Sequence, residues 1–555
     1  MRRNLTNNEL TSQKNPELPG NFEHYLLRSV ARILTQLDRD PDSPTFGCFD
    51  RDFWHYKVRD FASIVLQQGA LVLETLYNYS SQENFLYREP KVLSWVNASI
   101  GFWARQQLPS GAFNEYYPFE EGFPPTAFSL YAVALIFQKR GFPEAQPDVL
   151  LAIQKAVDSL LSVQERQALN QESVALTAVE LASRIPGVKL DRKKLDSRFV
   201  DFFAAQSSEG WFPEYGGADT GYLSVTLDAL SVYYDLTGDA RADVAMNKAL
   251  EFISMLVSVS GSTPVMTNSR NTDYIAPYGL LRMAESSPLA RCVFEKIFSC
   301  HENPGHFLNA TDDRYLCHYI YQSCFRGLEQ LSRMTALKTE LPCEKVEERF
   351  FPDAGIHILH TPGKRSVFTA ARKGGVYYVY TPQGVVFADF GWRQKNSDGR
   401  VALTHWQHPE NGSALSQAAD STVIEAKGTV SLHCWTESTP LRHAALRVLS
   451  YLFGRKIIAW LKMAMIFKAE SYGIHYIRKI TITPQGISCC DSFRGKRIEA
   501  FNPVPAPAYS LRHVASAGNF TKEELTGPEC VTRIFKREND CLVITSSIQF
   551  KEMQG

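Results

Sequence analysis

Residues 103–116 read WARQQLPSGAFNEY, and residues 202–215 read FFAAQSSEGWFPEY. One pattern fits both: an aromatic residue, then Gln, Gly, Phe and Glu-Tyr at fixed steps. Its anchors are Trp103, Gln107, Gly111, Phe113, Glu115 and Tyr116 in one copy, and Phe202, Gln206, Gly210, Phe212, Glu214 and Tyr215 in the other. Each copy closes a stretch of helical apolar spacing. A repeated helix-end signature predicts an array of helical units rather than a simple bundle. It also sets a carboxylate and a phenol at equivalent loop positions, where chemistry concentrates. Gly lets the chain turn sharply out of the helix. Phe can then pin the loop to the barrel wall and leave Glu and Tyr near a mouth. The competing use of the same residues is structural, with Gln and Gly capping the helix and Glu and Tyr bonding neighbouring backbone.

From about residue 20 to 340 the apolar residues recur mostly at steps of three and four, in about twelve stretches joined by short Gly/Pro loops. Paired helices of this kind predict an (α/α) toroid of about six helical hairpins over 21–340, behind a flexible lead at 1–20. After Cys343 the pattern shortens to IHILHT, SVFTAAR, VYYVYT and VVFADFGW, separated by Pro-Gly, Gly-Gly and Pro-Gln-Gly. These are strands with turn chemistry between them. They predict an antiparallel β-sandwich over 345–555, with the boundary near 337–350. The fold class is thus α+β and multidomain, as a 555-residue chain requires.

Residues 441–468 interrupt the strand pattern. They carry Arg442, Arg447, Arg455, Lys456, Lys462 and Lys468 with no acidic residue between. A basic amphipathic insert suits a membrane surface or a partner. It also suits strands or a helix packed on the sandwich with snorkelling cations.

The chain has 59 acidic and 59 basic residues. That balance gives no bulk attraction to nucleic acid. The 11 cysteines are scattered, with no Cys-x-x-Cys, so neither a disulfide framework nor a zinc ribbon is expected. No apolar leader and no run of 18 apolar residues is visible, and a cytoplasmic location with reduced thiols is expected, with membrane association through 441–468 as a variant. Aromatic content of 12% fits stacking on sugar rings and fits a large core equally well.

Three polar clusters fall at helix–loop junctions, which a toroid gathers at one end. Asn170-Gln171 opens an Ala-rich helix, Asp219-Thr220-Gly221-Tyr222 follows the second repeat, and Asn268 to Tyr274 includes Arg270. Asn170 also reads as an ordinary N-cap. A further cluster, Asp50 to Lys57, interleaves Trp54 with charge and suits either a sugar subsite or a helix staple.

A helical toroid followed by a β-sandwich resembles polysaccharide lyases of the heparinase II/III and alginate lyase type. Asn170-Gln171 resembles the element with which that family neutralises a uronate carboxylate, and Tyr222 resembles its catalytic tyrosine. FPDAGIHILHT, SVFTAARKGG and GVVFADFGW resemble the first strands of its sandwich. The resemblance implies Asn170 and Gln171 as neutralisers, Tyr222 as base and acid, and Arg270 as a partner of the carboxylate or of the phenolate. The loops themselves offer Glu115, Tyr116, Glu214, Tyr215, Trp54 and Tyr274 as substrate-binding residues for an acidic polysaccharide or oligosaccharide. No cofactor is implied. One departure stands out: where the family carries His-x-His-x-Asp, this chain reads KGGVYYVYTPQGVVFADFG, without histidine. His357, His360, His405 and His408 flank that stretch, and a lone His pair on a β-domain is more often structural, so no metal is predicted. Three functions remain open: a uronate lyase or its close variant a C5-epimerase, an inverting glycoside hydrolase using Glu115 with Glu214 or Asp219, and a non-catalytic glycan-binding protein of an envelope pathway.

Overall fold

The computed structural model describes residues 18–299, 301, 306–406, 411–418, 420–433, 437–462, 470–507, 531–538 and 540–550. Most of the expected 1–20 lead, and residues 463–468 of the insert, lie outside the described residues.

Twelve helices alternate between two layers. They are α1 (Leu18–Leu34), α2 (Gly69–Asn78), α3 (Pro90–Arg105), α4 (Phe123–Lys139), α5 (Pro147–Ser162), α6 (Leu169–Ala182), α7 (Arg192–Ala204), α8 (Thr220–Thr237), α9 (Ala240–Met255), α10 (Tyr278–Met283), α11 (Pro288–Phe298) and α12 (Tyr321–Leu331). Each even-numbered helix packs on the next, and α12 packs on α2, so the inner ring closes. The expected toroid of six hairpins is the observed architecture. Residue pattern explains the layers. Helix α4 is buried without a break from Pro125 to Phe137, and α6 from Glu172 to Ala182. Helices that are apolar or small all round belong inside. Helix α5 instead buries one stripe, including Val149, Ile153, Ala156, Val157 and Leu160.

The two repeat copies do the same work between an outer helix and the next inner one. Gln107 Nε2 donates to the Gly111 carbonyl at 3.0 Å and to the Ala152 carbonyl of α5 at 2.8 Å. Gln206 Nε2 donates to the Gly210 carbonyl and to the Ala245 carbonyl of α9, both at 2.9 Å. Trp103 stacks on Phe113 at 5.1 Å, and Phe202 on Phe212 at 4.6 Å. Gly111 and Gly210 have φ of 82° and 103°, and a Cβ on either would strike the backbone of the next outer helix, at Lys155 or Lys248. The pattern is therefore a lock between hairpins, which sets Glu115 and Glu214 at the mouth.

The sandwich begins after α12 with a five-stranded antiparallel sheet in chain order, β1 (Glu347–Phe351), β2 (Ile356–Thr361), β3 (Arg365–Ala370), β4 (Val376–Thr381) and β5 (Gly384–Asp389). The second sheet contains β6 (Trp392–Lys395), β7 (Val401–Leu403), β8 (Gly412–Ala418), β9 (Ser421–His433), β10 (Glu470–Ile482), β11 (Gly486–Gly495), β12 (Val504–Pro505), β13 (Thr532–Glu538) and β14 (Cys541–Gln549). Its order is β12-β6-β7-β9-β10-β11-β14-β13, with β8 on β9. Strand β4 shows why the sequence run VYYVYT is continuous rather than alternating. Val376, Tyr378 and Tyr380 join the toroid core, whereas Tyr377 and Val379 join the core between the sheets.

The contact between the parts is polar as well as apolar. The Val259 N–H donates to Ser366 Oγ at 3.0 Å, and the Met266 N–H to the Tyr378 hydroxyl at 3.1 Å. His360 bridges Ser366 Oγ and the Met255 carbonyl, and His357 pairs with Glu348 at 2.8 Å. Both histidines are structural.

The insert forms α13 (Pro440–Phe453) and α14 (Lys456–Lys462). Among the described residues its ion pairs and ring contact are with the toroid mouth. Arg447 pairs with Asp60, Tyr451 meets Phe119 edge-on at 5.2 Å, Arg455 lies 3.8 Å from Glu121, and Lys462 lies 2.7 Å from Glu165. The segment is a strap laid across the mouth.

Candidate active site

The strap, the loops entering α4, α6, α8, α10 and α12, and Lys373 from the turn after β3 enclose one polar site. Asn170 opens α6, and its backbone N–H donates to Glu214 Oε1 at 2.6 Å. Gln171 Nε2 donates to the Tyr215 hydroxyl at 3.2 Å. Arg270 donates to the Tyr215 carbonyl at 3.0 Å, with its guanidinium 5.0 Å from the centre of that ring. Lys462 approaches the same ring at 5.5 Å. Tyr215 is held at φ 51°, a left-handed conformation that a β-carbon resists, of the sort found where geometry is imposed by function.

Asp219 shapes the site without facing it. Its carboxylate accepts from the Tyr222 N–H at 3.1 Å, the Arg270 N–H at 3.1 Å and the Thr272 hydroxyl at 3.0 Å. It therefore caps α8 and ties the Asn268–Tyr274 loop to it, which removes it as a free acid. A Cβ at Gly221 would lie 2.2 Å from Thr272, so glycine allows that loop to close on α8. Lys373 completes the brace by donating to the Asn268 carbonyl at 2.6 Å and to Asn271.

Four buried polar atoms here have no hydrogen-bond partner among the described residues: Asn170 Oδ1, Gln171 Oε1, Glu214 Oε2 and Arg270 Nε. Each orphaned group costs about 1–3 kcal/mol unless a bound molecule satisfies it. Burial holds the Glu214 carboxyl well above the usual carboxylate range, against the pull of the Asn170 N–H. Burial also lowers the Arg270 pKa, while the nearby Tyr215, Tyr222, Asp219 and Glu214 favour its charge. Tyr274 is buried, 6.1 Å from the Tyr315 ring, and burial raises its hydroxyl with Tyr315 and Tyr222 adding to the effect.

A second cluster lies on the first-repeat side. Glu120 accepts from the Glu115 N–H at 2.7 Å and the Tyr116 N–H at 2.8 Å. Burial first, and then the Glu115 charge, push Glu120 up to about 8. His318 Nε2 lies 3.4 Å from Glu115 Oε1, its ring stacked on Tyr315 at 5.1 Å. It sits on the π-helical turn Leu316–Ile320, an irregularity frequent at functional sites. Tyr116 is largely exposed. A carboxyl whose pKa is raised by folding favours the folded state while protonated, and that stabilisation is lost as pH rises from about 4.5 to about 8. The melting temperature is therefore expected to fall across that window, and to fall less in Glu120→Gln, as scanning calorimetry at stepped pH would read.

The structure thus brings together Asn170, Gln171, Glu214, Tyr215, Tyr222, Arg270 and Tyr274, with Glu115 and Tyr116 joined to the Tyr315 side through His318. It does not bring in Trp54, whose indole donates to the Gln36 carbonyl at 2.7 Å. His405 is buried behind Lys373, held neutral with a pKa of about 3 by burial and by that lysine. His408 lies outside the described residues. Among the described residues no group of three His, Cys, Asp or Glu is placed to hold a metal ion. Sequence reasoning missed Glu120, His318, Tyr315, Lys373 and Lys462. The run Asp312-Asp313-Arg314-Tyr315 ahead of a helix was the available signal for Tyr315.

Toroid and sandwich with one polar site at their junction define a bipartite architecture of the (α/α) toroid type. No protein-family model and no curated sequence matches the chain. Among solved structures it is similar to a chondroitin AC lyase variant from Streptomyces coelicolor A3, at 10% identity and TM-score 0.47, over 98% of this chain and 78% of that one. It is also similar to a heparan sulfate lyase from Pedobacter heparinus, at 8% identity and TM-score 0.38, over 87% and 71%. A cellobiose 2-epimerase from Bacillus thermoamylovorans matches at 11% identity and TM-score 0.41, over 57% of this chain and 99% of that one. These likenesses concern overall architecture.

Proposed function

We propose that the protein is a carbohydrate-active enzyme, a polysaccharide or oligosaccharide lyase that cleaves uronic-acid-containing glycans by β-elimination. The observation that supports this is the set of orphaned polar atoms on Asn170, Gln171, Glu214 and Arg270 beside Tyr222. A uronate would meet them group by group: its carboxylate would accept from Arg270 Nε and from the Asn170 side-chain N–H, and sugar hydroxyls would donate to Asn170 Oδ1, Gln171 Oε1 and Glu214 Oε2. Such contacts stabilise the negative charge that spreads into the carboxylate as C5 loses its proton. Arg270 favours the phenolate of Tyr222. That phenolate takes the C5 proton, the C4–C5 double bond forms, the C4–O4 bond breaks, and the proton passes from Tyr222 to the departing O4. Asn170→Ala is expected to lower kcat about 10²–10³-fold on a cleaved glycan, read by steady-state kinetics. An unchanged kcat would remove Asn170 from the neutralising role.

A second reading rests on one observation, the burial of Glu214, which raises its carboxyl. A carboxyl shifted in that direction is what an inverting hydrolase needs as its acid, with Glu115 as base. Hydrolysis adds water to the product and elimination does not, so product mass separates the two.

A further inference from the structure

Helix α13 is amphipathic with its apolar side turned outward. Leu441, Ala445, Val448 and Leu452 follow at steps of four, three and four, one face of a helix. Leu441 is 81% exposed, Val448 58% and Leu452 62%, and Leu449 and Phe453 widen the same stripe. Ser450, on the opposite side, is buried, and Arg447 and Tyr451 hold the helix to Asp60 and Phe119. Trp460 on α14 adds an indole that is 64% exposed. A contiguous outward apolar stripe of this size marks an interaction surface.

Charge selects the occupant. From 441 to 462 the strap has five cations and no acid. Arg447, Arg455 and Lys462 face toroid carboxylates, whereas Arg442 and Lys456 are exposed and form no ion pair with a described residue. Apolar side chains flanked by cations, with an aromatic at the edge, match the interface of an anionic bilayer. Among the described residues no helix is long and apolar enough to cross a membrane, so the contact is a surface one.

We propose that the strap docks the protein onto an anionic lipid surface, with the toroid mouth held at the bilayer. The docking stands apart from the reaction. Its consequence rests on the lyase reading: the substrate is then a glycan anchored to, or emerging at, that membrane.

Cosedimentation of the full chain with phosphatidylglycerol/phosphatidylcholine vesicles, against phosphatidylcholine alone, tests it without any turnover. Wild type is expected to bind the anionic vesicles at least about tenfold more tightly than the neutral ones. Arg442→Gln and Lys456→Gln should each weaken binding about fivefold. The triple variant Leu441→Ser, Val448→Ser, Leu452→Ser should lose binding while keeping wild-type circular dichroism and melting. Equal binding by the triple variant, no binding by wild type, or a wild-type dimer that the triple variant dissociates would each overturn the proposal. None of these results bears on β-elimination, and a failure of β-elimination leaves the vesicle result standing.

Discussion

Tyr222→Phe is expected to lower turnover about 10²–10⁴-fold, the range for removing a positioned acid–base group. The substitution deletes one oxygen and keeps the ring. Tyr222 lies in the first turn of α8, where its backbone N–H is already held by Asp219. The cap on α8 uses the backbone N–H of Tyr222, which the substitution keeps, so the melting temperature should stay close to wild type. On the proposed reading KM should change little, because Asn170 and Arg270 remain to hold the carboxylate. A fall in kcat with KM and stability preserved locates the loss in the chemical step. A variant that keeps wild-type kcat would take Tyr222 out of the reaction.

The largest effect on stability is expected from Arg478→Met in the sandwich. Arg478 is fully buried, 2.8 Å from Asp389 and 3.3 Å from Asp491. Asp491 also accepts from the Trp392 indole at 2.8 Å. Burial pushes Asp491 up to about 6, with Arg478 pulling the other way. Removing the cation leaves two buried carboxyls facing each other, at a cost of about 3–5 kcal/mol. The variant should recover part of the loss as pH falls towards about 5, because protonation then relieves the uncompensated charge. Urea unfolding at several pH values would read both effects. Adding Asp491→Asn should restore stability in part, as expected when the loss comes from an unpaired charge.

The toroid was legible in the sequence because its signal is redundant. Helical spacing recurs, and the Gln–Gly–Phe lock appears twice with the same side chains in the same contacts. The structure also shows what the two copies alone conceal. Gly261 donates its N–H to the Ser258 carbonyl, as Gly111 does to Leu108 and Gly210 to Ser207, although no Gln or Phe marks that third loop. Backbone geometry had been kept and the side-chain signature lost. In the candidate site, residues that open helices could be singled out, as Asn170 and Tyr222 were. His318 could not, because a π-helical turn has no sequence signature and Glu115 lies far away in the chain. Lys373 read as part of a Gly-Gly turn, and only the docking of sandwich on toroid gives it Asn268 and Asn271 as partners. The strap was visible as a basic apolar segment. Its place across the mouth depends on Asp60, Glu121 and Glu165, three separate acids that sequence does not connect to it.

The central claim is elimination at a uronate, and product chemistry tests it most directly. Purified protein would be incubated with a panel of uronate-containing glycans, followed by ultraviolet absorbance and by product mass. β-Elimination predicts rising ultraviolet absorbance from a C4–C5 unsaturated uronide, with product masses that sum to the parent and a rise about 10²–10⁴-fold slower with Tyr222→Phe. Cleavage that adds one water per bond, without that absorbance, would contradict the account.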